Sequence, residues 1–166
     1  MFYLGRMDLV AIEEIRQLKY RYFRSLDLKE WDEFGDCLAE DVVARYGTQA
    51  MDKPIHYNTR DEVVDFMRTN LGTGIITVHI ASHSEIDVDG DTATAKWGFE
   101  DTVIVPDFKV SIRGAGYYND TYRRDADGKW RISGTEYQRI YEAMTSLDDT
   151  PSFKLIANRW DPSLAH

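Results

Sequence analysis

The chain is expected to be α+β, a curved antiparallel sheet forming a cone-shaped half-barrel closed by N-terminal helices. Three observations predict this. Helical spacing of apolar residues is confined to the part before Gly74. Long β-rich runs then extend from Ile75 to Tyr141. Asp89-Gly90 and Asp127-Gly128 interrupt those runs as tight hairpin signals. Helices first and antiparallel strands afterwards is the α+β arrangement. Strands this long twist and curl, and the space between the curl and the helices is a natural pocket.

Each element has its own warrant. Ile12, Ile15, Tyr22 and Leu26 recur at helical spacing, with Leu18 and Phe23 widening the stripe, so residues 8–28 form a helix with Asp8 as its N-cap. A short second helix covers Glu30 to Leu38, with Trp31, Phe34 and Leu38 inward. Asp41 to Tyr46 is a short strand, and residues 49–59 form a loop around Pro54. Thr59 or Asp61 caps a third helix through Asn70, and Gly72 and Gly74 end it. Four strands follow: Ile75–Val88, Thr92–Val105, Lys109–Arg124 and Trp130–Tyr141. The tail from Ser146 is irregular, with room for a short helix near Phe153–Trp160. There is no repeat or linker, so 1–166 reads as one domain with its core over roughly 8–145.

Composition narrows the function. The 166 residues are 43% apolar and 30% charged, which fits a folded chain with a real core. Acidic residues outnumber basic ones 29 to 20, a formal charge of −9, which argues against nucleic-acid and anionic-membrane partners. Cys37 is the single cysteine, so no internal disulfide or cysteine-built zinc site exists. The apolar start Met1-Phe2-Tyr3-Leu4 is too short for a signal-peptide core, and a cytoplasmic location is expected. Asp87-Val88-Asp89-Gly90-Asp91 matches part of a calcium loop but lacks its final Glu, and His79 and His83 have no third ligand at useful spacing. No phosphate loop, nucleophile elbow or dinucleotide fingerprint is present. The expectation is no metal, no cofactor, and chemistry that acids and bases perform alone.

Strand alternation sorts the candidates. Ala93, Ala95, Trp97 and Phe99 share one apolar face, and Asp101 continues it. Asp101 is then a buried pocket carboxylate, unless the strand ends first and frees it to solvent. Ile76, Val78 and Ile80 form the apolar side of their strand, so His79 shares the other with Thr77, Ala81 and His83; that side is either a pocket wall or an interface. Asp27 sits at the unfavourable negative end of the first helix, which calls for a compensating histidine or arginine, or for solvent. Tyr22 lies in the apolar stripe and needs a hydroxyl partner, in a core or in a site. Arg139 alternates with Tyr137 and Tyr141 and is a surface cation or a partner for Asp101.

Four blocks in order carry a family resemblance: Tyr22-Phe23-Arg24-Ser25-Leu26-Asp27 with Trp31-Asp32-Glu33, then Val78-His79 with His83-Ser84-Glu85-Ile86, then Lys96-Trp97-Gly98-Phe99-Glu100-Asp101, then Tyr137-Gln138-Arg139-Ile140-Tyr141-Glu142. The chain resembles the SnoaL-like branch of the nuclear-transport-factor-two-like superfamily, and within it most the bile-acid 7-alpha-dehydratases, with scytalone dehydratase and the lindane dehydrochlorinase more distant. The resemblance implies a cofactor-independent lyase acting on a steroid-like, polyketide-like or other alicyclic small molecule. It implies His79 as base, Asp27 as its orienting carboxylate, Tyr22 as an aid to the leaving hydroxyl, and Asp101 with Arg139 as the polar end of the pocket. Trp97, Phe99 and Tyr137 are then expected as substrate-binding walls. It further implies a homo-oligomer, trimer or dimer, packed through the outer face of the sheet, where Gly116-Tyr117-Tyr118-Asn119 could serve. The alternatives are an isomerase or epoxide hydrolase on the same fold, or a non-catalytic small subunit or binding module.

Overall fold

The computed structural model describes residues 7–48 and 55–164. Helix α1 spans Leu9–Leu28, and the Asp8 carboxylate caps it by accepting from the Ala11 amide at 3.0 Å. Its inward stripe is the expected one: Ile12, Ile15, Leu18, Tyr22, Phe23 and Leu26 are buried. Helix α2 (Trp31–Asp36) is shorter than expected because the chain extends at once into β1, Leu38–Tyr46. The loop expected over 49–59 falls partly outside the described residues; its described end forms a three-residue strand, β2, Ile55–Tyr57. Thr59 caps α3 (Arg60–Asn70) in a reciprocal box with Glu62. The long strands follow: β3 Ile76–Asp89, β4 Thr92–Val105, β5 Val110–Arg124 and β6 Trp130–Ser146. Gly90 and Gly128 turn the hairpins at φ 59° and 80°, where only glycine is unstrained. The tail contains turns and no helix near Phe153–Trp160.

The sheet runs β2-β1-β6-β5-β4-β3. It is mixed rather than wholly antiparallel, because β1 pairs with β6 in parallel. No hairpin joins those two strands, so turn signals in the sequence carried no trace of the pairing. The three helices cover the side of the sheet on which Ala93, Ala95, Trp97, Phe99, Tyr118 and Tyr122 are buried.

Two bulges decide which side chains face that interior. β3 shifts register between Ser82 and Glu85, with His83 at φ 51°. The extra residue reverses the alternation: Thr77, His79 and Ala81 face inward before it, Ile86 and Val88 after it. Val78 and Ile80 therefore lie outside and half exposed, and the His79 side of the strand is the interior. Tyr117 is exposed on the same outer face, the one on which the expected copy-to-copy contact bears. β6 shifts between Arg139 and Tyr141, leaving Ile140 unpaired. Among the described residues no helix is long and apolar enough to cross a membrane.

Candidate active site

Asp27 in the last turn of α1 meets His79 on β3. Its Oδ1 lies 2.7 Å from His79 Nδ1, and its Oδ2 accepts the His79 backbone N–H at 2.8 Å. The Thr77 hydroxyl donates to Oδ1 at 2.8 Å. Three donors on one carboxylate offset the unfavourable helix terminus. An ionised carboxylate only accepts, so Nδ1 carries the ring proton and Nε2 is the basic nitrogen. Phe23 stacks on the imidazole with centroids 5.2 Å apart and planes 9° from parallel. The ring is thus held by its backbone, by Asp27 and by an aromatic face.

His79 lines a chamber of about 340 Å³ between the helix layer and the sheet. Leu26, Phe66, Leu71, Ile75, Val103 and Ile112 supply apolar wall. The polar end is built on β4 and β6. Asp101 is the direct cross-strand neighbour of His79. It is buried and accepts a bidentate pair from Arg139, Nη1 to Oδ1 at 2.9 Å and Nη2 to Oδ2 at 2.7 Å. Arg139 Nε faces the Glu142 carboxylate in a second ion pair. The guanidinium also stands over the rings of Phe99 and Tyr137, 5.4 and 5.2 Å from their centroids. The bulge at Ile140 is what aims both Arg139 and Glu142 inward; unbroken alternation sends residues three apart to opposite faces.

Tyr46, Tyr118 and Tyr137 complete the lining. Burial pushes the Tyr137 phenol up to about 12 and raises Tyr46 and Tyr118 as well. All three keep their protons at neutral pH.

The structure brings Asp27, His79, Asp101, Arg139 and Tyr137 to one place. Tyr22 is fully buried and reaches the chamber only through Tyr46, whose hydroxyl lies 3.1 Å from its own. Phe99 stands one layer back, packed on Tyr118 and Tyr137. Trp97 is deeper still, its indole N–H donating to the Tyr122 hydroxyl at 3.0 Å. Sequence reasoning missed Thr77, Tyr46 and Glu142. Thr77 shares a strand face with His79, which was a usable signal; Glu142 was hidden by the bulge. Among the described residues no group of three metal-ligating side chains converges.

A larger groove of about 660 Å³ lies on the outer side of the sheet, among Arg45, Glu85, Lys96 and Glu136. Its lining contains no histidine, whereas the smaller chamber holds His79.

The SnoaL-like domain model matches residues 7–136. Among solved structures, a protein named for scytalone dehydratase from Novosphingobium aromaticivorans DSM 12444 is 21% identical, covering 82% of this chain and 88% of that one, with a TM-score of 0.72. A Kribbella flavida protein is 22% identical over 79% and 91%, TM-score 0.71. The hexachlorocyclohexane dehydrochlorinase LinA-type3 from Novosphingobium barchaimii LL02 is 15% identical over 83% and 92%, TM-score 0.71. At these identities the likeness is one of fold. With helices over an open curved sheet, and a family match running through α1 and well into β6, the chain belongs to the SnoaL-like domain family.

Proposed function

We propose that the chain is a cofactor-independent lyase, a dehydratase acting on a neutral alicyclic, steroid-like or polyketide-like molecule. The contact of Asp27 with His79 Nδ1, in the wall of an apolar chamber, carries this reading. Imidazole ordinarily titrates at about 6.5, near working pH, which suits a general base. His79 Nε2 takes the proton from a carbon next to the one bearing the leaving hydroxyl. The C–H electron pair becomes the new double bond, and the C–O bond breaks. The departing oxygen takes a proton from the imidazolium, so that water leaves and the base is regenerated. Asp27 fixes the ring's tautomer and stabilises the imidazolium. Tyr22 aids the leaving oxygen through its hydrogen bond to Tyr46, and Asp101 with Arg139 orients the polar end of the substrate. Apolar walls keep competing water out.

Charge supports a neutral substrate. Among the described residues, Asp27, Asp101 and Glu142 stand with two cations: Arg139, matched by Asp101 and Glu142, and Lys29, which reaches Asp27 through Thr77. A substrate carboxylate inside the chamber meets a guanidinium already matched by two carboxylates, so an acidic group belongs at the mouth or is absent.

The test is a panel of neutral hydroxylated fused-ring compounds beside their carboxylate analogues, followed by mass spectrometry. A product lighter by one water marks a lyase, and an isobaric product marks an isomerase. His79→Ala is expected to lower turnover about 10²- to 10⁴-fold with the fold intact, and Asp27→Asn comparably. Activity of His79→Ala within a few-fold of wild type removes the base assignment.

A further inference from the structure

Lys29 ends α1 in a left-handed conformation, φ 61°, a position where helices usually carry glycine. Its amide and that of Glu30 close the helix on Leu26 O and Ser25 O, so the backbone needs the conformation whatever the side chain. The side chain does not run out to solvent. It turns back along the sheet face, and its Nζ donates to the Thr77 Oγ1 at 3.0 Å. Thr77 is buried, and the same oxygen donates to Asp27 Oδ1 at 2.8 Å. Ammonium groups only donate. With Nζ on one side, the Thr77 hydroxyl has one direction left for its proton, the Asp27 carboxylate. A line of hydrogen bonds thus runs from Lys29 through Thr77 to Asp27, which also accepts from the imidazole.

Among the described residues the charges around this line are few. Touching His79 or lining the same chamber are Asp27 from α1, the Tyr46 phenol from β1, Asp101 from β4, the Tyr118 phenol from β5, and the Tyr137 phenol, Arg139 and Glu142 from β6. Arg139 is matched by Asp101 and Glu142. The Lys19 ammonium, behind the Phe23 ring that stacks on His79, is matched by Asp120. Lys29 contacts a hydroxyl rather than a carboxylate, and the Asp27 carboxylate just beyond Thr77 is the charge its field meets before the imidazole. Burial lowers its ammonium to about 8 against the pull of Asp27, which leaves it charged in the neutral range.

We propose that Lys29 is a positioning residue of the Asp27–His79 pair: through Thr77 it orients the donor that holds the carboxylate, and its charge disfavours a protonated resting imidazole. This rests on the reading of His79 as the base and adds a residue to it. A cation held near the ring opposes the imidazolium, so removing it strengthens proton binding at His79.

The experiment is an NMR titration of the His79 ring in wild type, Lys29→Met, Lys29→Gln and Lys29→Arg, with thermal melts to confirm folding. Lys29→Gln keeps a donor for Thr77 and drops the charge. In Lys29→Met and Lys29→Gln the ring's midpoint is expected to rise about 0.5–1 pH unit above wild type, a 3- to 10-fold gain in proton affinity. Lys29→Arg is expected to return most of that shift. The ascending limb of the kcat/KM profile should move with the midpoint, while KM changes little. Midpoints within 0.2 unit of wild type in both uncharged variants would overturn the proposal, as would Lys29→Arg behaving like Lys29→Met. The titration reads the coupling whether or not turnover depends on His79. A retained activity in His79→Ala removes the base assignment alone, and a flat titration removes the Lys29 role alone.

Discussion

Arg139 holds its place because one residue beside it has no side chain. Gly114 is the β5 partner of both Asp101 and Glu142. A Cβ there would overlap Arg139 Nη1 and come within 3.0 Å of Asp101 Oδ1 and the Tyr141 carbonyl. Gly114→Ala is therefore expected to push the guanidinium off its bidentate seat. A shift on the order of 1 Å at a positioned group can cost about 10²-fold in rate, and overpacking costs about 1–3 kcal/mol in stability. Steady-state kinetics and denaturant unfolding check both. Unchanged kcat/KM in a folded variant would show that the Asp101–Arg139 pair does not orient substrate.

At the scale of elements, the β5–β6 hairpin is clamped to the end of α2 by Arg131, with Lys129 Nζ 3.6 Å from Asp36 Oδ2 beside it. Arg131 donates to Asp36 Oδ1 at 2.9 Å and to the Asp36 carbonyl at 3.2 Å. It also donates to Asp125 at 3.1 Å and to both oxygens of Asp127, at 3.0 and 2.9 Å. Its hydrogen bonds hold the Asp127 carboxyl down at about 2 and lower Asp36 as well. Carboxyls with depressed folded values stabilise fully above the ordinary carboxylate range, and that contribution disappears as pH falls through the folded value. Melting temperature is thus expected to fall from about pH 4 to about pH 2. Arg131→Met should melt lower at pH 7 and show a shallower acid fall. Parallel acid curves for the two proteins would place the acid sensitivity elsewhere.

At the scale of the whole molecule, the helix layer and the sheet are tied by a buried ion pair. Lys19 on α1 and Asp120 on β5 are both fully buried, with Nζ 2.7 Å from Oδ2. Tyr122 donates to the same oxygen at 2.8 Å, and the Lys19 ammonium stands 3.7 Å from the centroid of Tyr118. Burial lowers the Lys19 ammonium while Asp120 pulls it back up. Lys19→Met strands a carboxylate in the core, and losing one partner of such a pair costs about 3–5 kcal/mol. Lys19→Met with Asp120→Leu should recover much of that loss. Denaturant unfolding of the set measures it, and a single variant that loses under about 1 kcal/mol would mean the pair is not ionised.

The sequence by itself determined the order of the helices and long strands, the cap at Asp8, a cap at Thr59 or Asp61, both hairpin turns, and the inward face of Trp97 and Phe99 on which Asp101 comes next. These are local: a period, a capping side chain or a glycine states them within a few residues. It also marked Asp27 as a group in need of a partner and left His79 on a pocket wall or an interface. The family resemblance implied that they partner each other; the contact itself is made by the tertiary structure, because nothing local ties the end of one helix to a strand fifty residues on. The parallel β1–β6 pairing was settled by the same kind of contact. So were Glu142 and the outward turn of Val78 and Ile80. Each depends on a bulge or a long-range register, and a single extra residue reverses which face every later side chain meets.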